Sequence, residues 1–569
     1  MRASVRTQRR VALFVGVTVV LASWLGLRAL QIRSHLLVAR AELAVAASPD
    51  LDRAVQAADR ATREVDAAHA ASRDPLWRLA GAIPALGATF GMVSDLTDIS
   101  RDLVHQALPP LRAALREERA HPLVADGRVD LASLARLAPL FERASTEADT
   151  ALQRAGRLPD TPLDGQRDTF QAQVQRLTHS LGAAKAAVDT APGMLGRDRP
   201  RRYFLAVQNN AESRATGGLI GAYAIVRVDK GRITRERVGT DQDFVTAERP
   251  VVDLGQDFAD HYDKHSSRTY WSAAVLTPDW SSAGAIIAGL WRAQGGGPID
   301  GVIGIDPITM RELLRATGPV TVGTRSIGPA NVVDFVMRDE YAEFPYPARE
   351  VARKQVLREL AGQLFDRVLG ASSSTSLLTA VTAAGGSGHL QLWSADAAEQ
   401  ATIARFRVGG VLTRAPGAFL EVVTQNAAGN KIDYYVRRKL AYSRPAPGTG
   451  RAELTLRNLV DPATVPPIVT GRLDHNPTGR PGETKLLLTF FVSVGASVRE
   501  VTVDGILVPV ERGTEKGHGF ASLQVLVAPG RPVTVVALLD DPGGPLTYRQ
   551  QPLVVDDELS LAVPRAGAQ

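Results

Sequence analysis

From Val11 to Leu27 the chain carries no charged residue, and with Ala29 and Leu30 beyond Arg28 the apolar run reaches about 20 residues, enough for a bilayer core of about 30 Å. Arg28 can snorkel and Trp24 suits an interface. No small-x-small site follows closely, since Ala44-Val45-Ala46 lies too far downstream for signal cleavage. The pattern predicts a basic tail over 1–10 and an uncleaved single-pass transmembrane helix over 11–30. Arg2, Arg6, Arg9 and Arg10 ahead of the span put the N-terminus in the cytoplasm and the bulk of the chain outside. Over 31–195 the apolar period is helical. Met92, Leu96, Ile99, Leu103 and Ala107 form one stripe, with a stop expected at Pro109-Pro110. Asp130 is a candidate N-cap for the stripe Leu134, Leu137 and Phe141, and Ala54, Ala58, Ala61, Val65 and Ala68 make a seam of small residues. A helical bundle or stalk is predicted, with a spacer role.

The period changes at Arg201. Tyr203 to Val207, Leu219 to Val228 and Ile233 to Val238 read as strands, the last two joined at Asp229-Lys230-Gly231. Helices near Ser281–Ala293, Thr309–Ala316, Asn331–Arg338 and Ala348–Leu369 alternate with the strands Gly301–Ile305 and Val320–Val322. This alternation predicts an α/β domain over 196–371. A Ser/Gly-rich linker with short elements covers 372–408, and short runs punctuated by Gly and Pro predict an all-β sandwich over 409–569.

A length of 569 residues fits several such units and rules out one compact core. The absence of cysteine excludes disulfides, thiol nucleophiles and iron–sulfur sites, so an extracytoplasmic chain must rest on its packed cores. The 66 basic residues, mostly arginine, are spread among 60 acidic ones with 5% aromatics, which argues against a nucleic-acid partner.

The run Arg201 to Gly218, Arg-Arg-Tyr-Phe-Leu-Ala-Val-Gln-Asn-Asn-Ala-Glu-Ser-Arg-Ala-Thr-Gly-Gly, resembles the signature of the domain of unknown function 4012 family, uncharacterised bacterial membrane-anchored proteins. Asp300 to Pro307, Ala316 to Val320, Asn331 to Asp334 and Gln425 to Tyr435 continue the resemblance. The order of elements in the middle domain is also similar to that of the LytR-CpsA-Psr family, membrane-anchored phosphotransferases that move glycopolymers from a polyprenyl pyrophosphate carrier to the cell wall. That likeness implies an LytR-CpsA-Psr-like α/β fold, with Arg214, Thr317-Gly318-Pro319-Val320, Arg338, Arg349 and Arg353-Lys354-Gln355 at the matching places. Where that family has a Mg²⁺-holding Asp, this chain has Thr216-Gly217-Gly218, with only Asp241 and Asp243 nearby.

The residues point to a site independently of the resemblance. On a helix from Ala348, Arg349 and Arg353 lie within about 60° of the inward stripe of Val356 and Leu360. Cations at a helix N-terminus oppose its dipole, so a bound anion or a salt bridge to Glu340, Glu343 or another acid is expected there. Gln208 and Asn209 end a strand, where amides read sugar hydroxyls or cap loop backbone. With Arg214 and Arg338 these make the candidate ligand set. Asp241, Asp243 and Asp306 are the candidate catalytic carboxylates, Mg²⁺ is the cofactor a transferase would need, and no resident metal site is expected. His261 and His265 read as an exposed polar cluster. The function expected is a cell-envelope protein that binds or transfers lipid-pyrophosphate-linked glycopolymers. The alternative is a non-catalytic scaffold or a carbohydrate- or protein-binding protein.

Overall fold

The computed structural model describes residues 5–46, 51–84, 87–125, 127–344, 347–371, 374–415, 417–474 and 479–563, with side chains of the first helix described from Val20 onward. The chain forms two compact units, one of Met1–Leu123 with Asp130–Ala191, the other of Val124–Val129 with Pro192–Gln569.

The first unit is helical: α1 (Val5–Ala46), α2 (Leu51–Ser72), α3 (Pro75–Gly81), α4 (Gly87–Asp102), α5 (Leu108–Ala120), α6 (Leu131–Ala155) and α7 (Asp164–Met194). Small residues set the spacing. Ala144 and Ala148 of α6 are fully buried against Leu181 of α7, and Ala57, Ala61 and Ala68 of α2 are equally buried, so helix axes approach closely. Asp130 caps α6 by accepting from the Ala132 amide at 2.9 Å. The stop expected at Pro109-Pro110 does not occur. A π-helical turn, Leu103–Ala107, carries the chain into α5, whose first turn holds both prolines. First-turn amides need no intrahelical partner, so proline is tolerated there and the ladder irregularity falls just before it.

The span expected over 11–30 begins among residues 11–19, whose side chains lie outside the described ones. Among the described residues no helix is long and apolar enough to cross a membrane. The outer end of the run is part of the bundle: Leu25 packs with Ile32 against Ala68, Ala71 and Trp77. Trp24 Nε1 donates to Asp74 at 3.3 Å, and Arg28 pairs with Asp74 at 3.1 Å.

In the second unit, β1 (Val124–Ala125), β2 (Arg128–Val129), β3 (Arg201–Arg214), β4 (Gly217–Asp229), β5 (Arg232–Thr240), β6 (Gly301–Ile305) and β9 (Gln391–Ser394) form one sheet in the order β1-β2-β5-β4-β3-β6-β9. Only β3 and β6 run parallel. Lys230 and Gly231, at φ 49° and 81°, make the two-residue turn between β4 and β5. Alternation along β3 decides the two faces. Phe204 and Ala206 pack under helix α9 (Trp280–Ala293) with Trp280 and Trp291, while Leu205 and Val207 meet α10 (Pro307–Thr317) and α13 (Glu350–Leu369). Between these come α8 (Gln256–Tyr262), the hairpin β7 (Val320–Val322) and β8 (Arg325–Ile327), and the short helices α11 (Val332–Asp334) and α12 (Glu340–Glu343), separated by a π turn at Phe335–Asp339.

The rest of the unit is β-rich. A five-stranded sheet contains β10 (Ala418–Asn426), β13 (Thr484–Val494), β16 (Glu511–Glu515), β17 (His518–Val527) and β19 (Leu546–Arg549). A six-stranded sheet contains β11 (Val436–Ala446), β12 (Thr449–Asn458), β14 (Val498–Val503), β15 (Ile506–Leu507), β18 (Val533–Asp540) and β20 (Glu558–Leu561). Leu420, Val422, Leu488 and Phe490 of the first sheet share a dry core with Leu440, Leu454, Val535 and Ala537 of the second.

Candidate functional site

The C-terminal half of β3 leaves the sheet and enters the β-rich part. Its pairing with β4 shifts after Asn209, and Ser213 next faces Gly218, so Asn210, Ala211 and Glu212 form a bulge. Gly218 permits this approach, because a Cβ there would lie 2.1 Å from the Asn209 carbonyl oxygen. The bulge aims its side chains at groups far apart in sequence. Asn209 Nδ2 donates to the Tyr341 hydroxyl at 2.8 Å, Glu212 pairs with Lys431, and the Ser213 amide donates to Asp433 at 2.7 Å. Asn210 Nδ2 donates to Asp306 at 3.0 Å and to the Pro552 carbonyl at 3.0 Å. A polar seam thus joins the α/β part to the β-rich part, with Asn426 also donating to Asp433 at 3.1 Å. Burial pushes the Asp433 carboxyl up to about 6 despite these donors.

The arginines of the candidate ligand set reach four separate groups of partners. Arg214 is enclosed and donates only to carbonyls, of Ser272 at 3.3 Å, Ser213 at 2.9 Å and Asn426 at 3.1 Å; burial lowers its pKa. Arg353 pairs with the fully buried Glu340 at 2.8 Å and lies 5.3 Å over the Tyr341 ring, so a salt bridge explains its inward position. Burial pushes Glu340 up to about 7 against the pull of Arg353. Arg338 is half-exposed between Asp339, at 2.7 Å, and Asp334, at 3.5 Å, and donates to the Tyr434 hydroxyl at 3.2 Å. Arg349 is not on the inward stripe. The helix starts at Glu350, which leaves Arg349 at the N-cap, exposed, 4.9 Å over the Phe344 ring and bonded to the Glu343 carbonyl at 3.2 Å.

Gln208 and Asn209 cap backbone. Gln208 Oε1 accepts from the Gly218 amide at 3.2 Å, and Asn209 Oδ1 accepts from the Ala211 amide at 3.0 Å. Of the candidate carboxylates, Asp241 is held by Lys354 at 2.7 Å, and Asp243 accepts from the Tyr223 hydroxyl at 3.1 Å and the Thr240 amide at 3.2 Å. Asp306 is buried as the N-cap of α10, accepting from the Thr309 amide at 2.9 Å and facing His389 Nδ1 at 2.5 Å. The three acids serve different local structures. Among the described residues no three His, Asp or Glu side chains gather where they could hold a metal ion.

His261, expected in an exposed cluster, is buried. Helix α8 docks on β16 and β17, which sets His261 Nδ1 2.9 Å from Glu511 and its ring 4.1 Å from that of Phe520; His265 stays exposed. Beside it Glu515, also buried, accepts from the Tyr262 hydroxyl at 2.6 Å and from the Thr277 hydroxyl, with no cation paired to it among the described residues. Burial raises its pKa to about 7. Its native carboxyl therefore holds a proton that the unfolded chain releases near pH 4.5, so its stabilisation is full below that pH and lost as pH rises to about 7. We expect Glu515→Gln to flatten this fall by about 3 kcal/mol between pH 4.5 and pH 8. Urea midpoints across that range check it; an unchanged slope would refute the assignment.

The partners of the seam come from Arg201 to Arg214, Asp300 to Pro307 and Gln425 to Tyr435, with Tyr341 and the Pro552 carbonyl besides. Residues 198–341 match the model of a family described as a protein of unknown function (DUF4012). The chain carries a DUF4012 domain. No curated protein matches the chain. The matched segment contains Gln208, Asn209, Arg214, Arg338 and Glu340, whereas Arg353, Lys431 and Asp433 lie beyond it. The DUF4012 segment thus supplies one side of the seam, and the β-rich part supplies most of the other. Sequence reading named Glu340 as a partner for an arginine but missed Glu212, Lys431, Asp433 and His389 as parts of the network. The available signal was the paired occurrence of Gln-Asn followed by an acid in Gln208 to Glu212 and Gln425 to Asp433.

Proposed function

We propose that the protein is a membrane-anchored component of the cell envelope that works as a scaffold, binding extracellular polymer or protein partners rather than transferring glycopolymer. The observation that carries this reading is the occupation of the four arginines. Arg214 spends its donors on carbonyls, Arg353 on Glu340, Arg338 on Asp334 and Asp339, and Arg349 on backbone and an aromatic face. A pyrophosphate would have to displace each partner and gather guanidinium groups that are held apart. The LytR-CpsA-Psr likeness is then one of fold order, kept without its chemistry. The anchor is the start of α1, and the arginines before residue 11 set its orientation, with the chain after it outside the membrane.

The test incubates the purified full chain with a polyprenyl-pyrophosphate oligosaccharide and a peptidoglycan acceptor, with and without Mg²⁺. No transfer of labelled sugar is expected, and a deletion strain complemented with Arg338→Ala should regain wild-type wall polymer. Transfer that disappears in Arg338→Ala, with Tm unchanged, would replace this reading with the enzymatic one.

A further inference from the structure

The helical unit carries a basic cleft that no part of the seam uses. It has a volume of about 510 Å³ and is lined by four arginines, Arg73, Arg78, Arg101 and Arg154, with His69. Two acids, Asp98 and Asp102, complete its wall. Asp98 is shared by Arg73 and by His69, the latter at 3.0 Å, and Asp102 pairs with Arg154. Arg101 turns to Asp66 at 3.3 Å outside the cleft, and among the described residues Arg78 bonds only the Arg73 carbonyl, through Nε, at 3.1 Å. The wall therefore holds more cations than acids, and the terminal nitrogens of Arg78 are left as a free fork. Such forks match phosphate oxygens in pairs.

The cleft's place in the bundle indicates which phosphate. Arg73 adjoins Asp74, the residue that receives both Trp24 and Arg28 of α1. These two residues sit at the outer end of the apolar run, with the Arg28 guanidinium 4.7 Å over the Trp24 ring. An indole and a cation at that point form the pattern of a membrane–water boundary, and cations there meet anionic headgroups. We infer that the cleft is a binding site for the phosphate of an anionic lipid headgroup in the leaflet where α1 emerges. The inference rests on the anchor reading above, which fixes the height of Trp24.

The test uses the full chain in detergent, titrated with short-chain phosphatidylglycerol, short-chain phosphatidylcholine or inorganic phosphate, and followed by native mass spectrometry. Saturable retention of phosphatidylglycerol alone is expected. Arg78→Glu should weaken it by about fivefold or more, and Arg116→Ala, on α5 outside the cleft, should leave it unchanged. Among the described residues Arg78 pairs with no acid, so its replacement leaves their ion pairs in place. Equal retention of phosphatidylcholine, or wild-type affinity in Arg78→Glu, would overturn the proposal. Competition by inorganic phosphate at concentrations equal to the lipid's would overturn the lipid source and assign the cleft to free phosphate. Carbonate extraction of cell membranes separates the two readings. Release of the chain into the supernatant defeats the anchor and the cleft together, whereas a retained chain with unaltered Arg78→Glu binding defeats the cleft alone.

Discussion

Replacing Arg353 by methionine is expected to destabilise the larger unit by about 3–5 kcal/mol at pH 8 and by much less at pH 5. The cause is the carboxyl left behind. Glu340 is fully buried, its close cation is Arg353 at 2.8 Å, and one of its oxygens, Oε2, has no hydrogen-bond partner. Without the guanidinium the carboxylate remains unpaired in a dry site, or it must take a proton. Its native pKa, about 7 with Arg353 present against 4.5 as the ordinary value, moves higher still when the cation is removed. A raised native pKa stabilises below the unfolded value and is lost as pH rises, so the variant's deficit must widen with pH. Urea unfolding of the full chain at pH 5 and pH 8 measures it. An equal deficit at both values would show that Arg353 acts through its aromatic and aliphatic contacts with Tyr341 and not through Glu340. A Glu340→Gln/Arg353→Met double variant should recover much of the loss.

The second large effect lies in the β-rich part. Arg438 and Asp557 are both almost fully buried and meet at 2.7 Å, on strand β11 and just before β20. The same guanidinium donates to the Val422 carbonyl at 2.7 Å, Gln551 Oε1 at 2.8 Å and the Thr424 hydroxyl at 2.9 Å. One planar fork thus ties the C-terminal strand of the six-stranded sheet to β10 of the other sheet. Arg438→Met removes it and strands Asp557, at an expected cost of about 3–5 kcal/mol. Arg438→Lys should cost nearly as much, because an ammonium cannot reach four acceptors in the same plane. Arg438→Met/Asp557→Leu, which removes both charges, should be markedly more stable than Arg438→Met alone. Thermal unfolding of the three variants is the check, and a double variant no better than Arg438→Met would mean that shape, not charge, holds this position.

The larger unit is assembled from an α/β part and a β-rich part whose meeting surface carries charged and amide side chains in place of a uniform apolar face. Glu212 with Lys431, Asp433 with the Ser213 amide, and Arg549 with the Pro278 carbonyl at 3.0 Å all cross it. Buried pairs of this kind add little net stability over apolar residues, but each mismatched partner is costly, so they select one docking geometry.

Much of this was legible in the residues. Period-2 runs marked β3, β4 and β5, and the Lys230-Gly231 pair marked their hairpin because both residues take positive φ. Helical stripes marked α4 and α6, and Asp130 marked a helix start. The inward position of Arg353 also followed from the 100° step of a helix, while its pairing with Glu340 was one of two expectations, the other a bound anion. Other features were hidden by short-range ambiguity. Arg349 was misplaced because the helix starts at Glu350 and not at Ala348, which leaves Arg349 at the N-cap with non-helical backbone, outside the 100° periodicity. Pro109-Pro110 marked a stop that a π turn bridged, since the sequence signal for a proline at the end of a helix is the same as for one in the first turn of the next.

The sequence by itself determined the local elements, the order helical, α/β, β-rich, the lack of any disulfide, and the basic residues ahead of the apolar run. These follow from periodicity and composition, which act over a few residues. Only the tertiary structure decided what the charged side chains do. Whether Arg214, Arg338 and Arg353 gather around a ligand or turn to internal partners depends on groups as far away as Asn426, Tyr434 and Glu340. Ion pairing and desolvation are set by distance in space, which no local pattern encodes. The same holds for the basic cleft of the helical unit, where arginines from the turn after α2 and from α3, α4 and α6 come together only in the packed bundle.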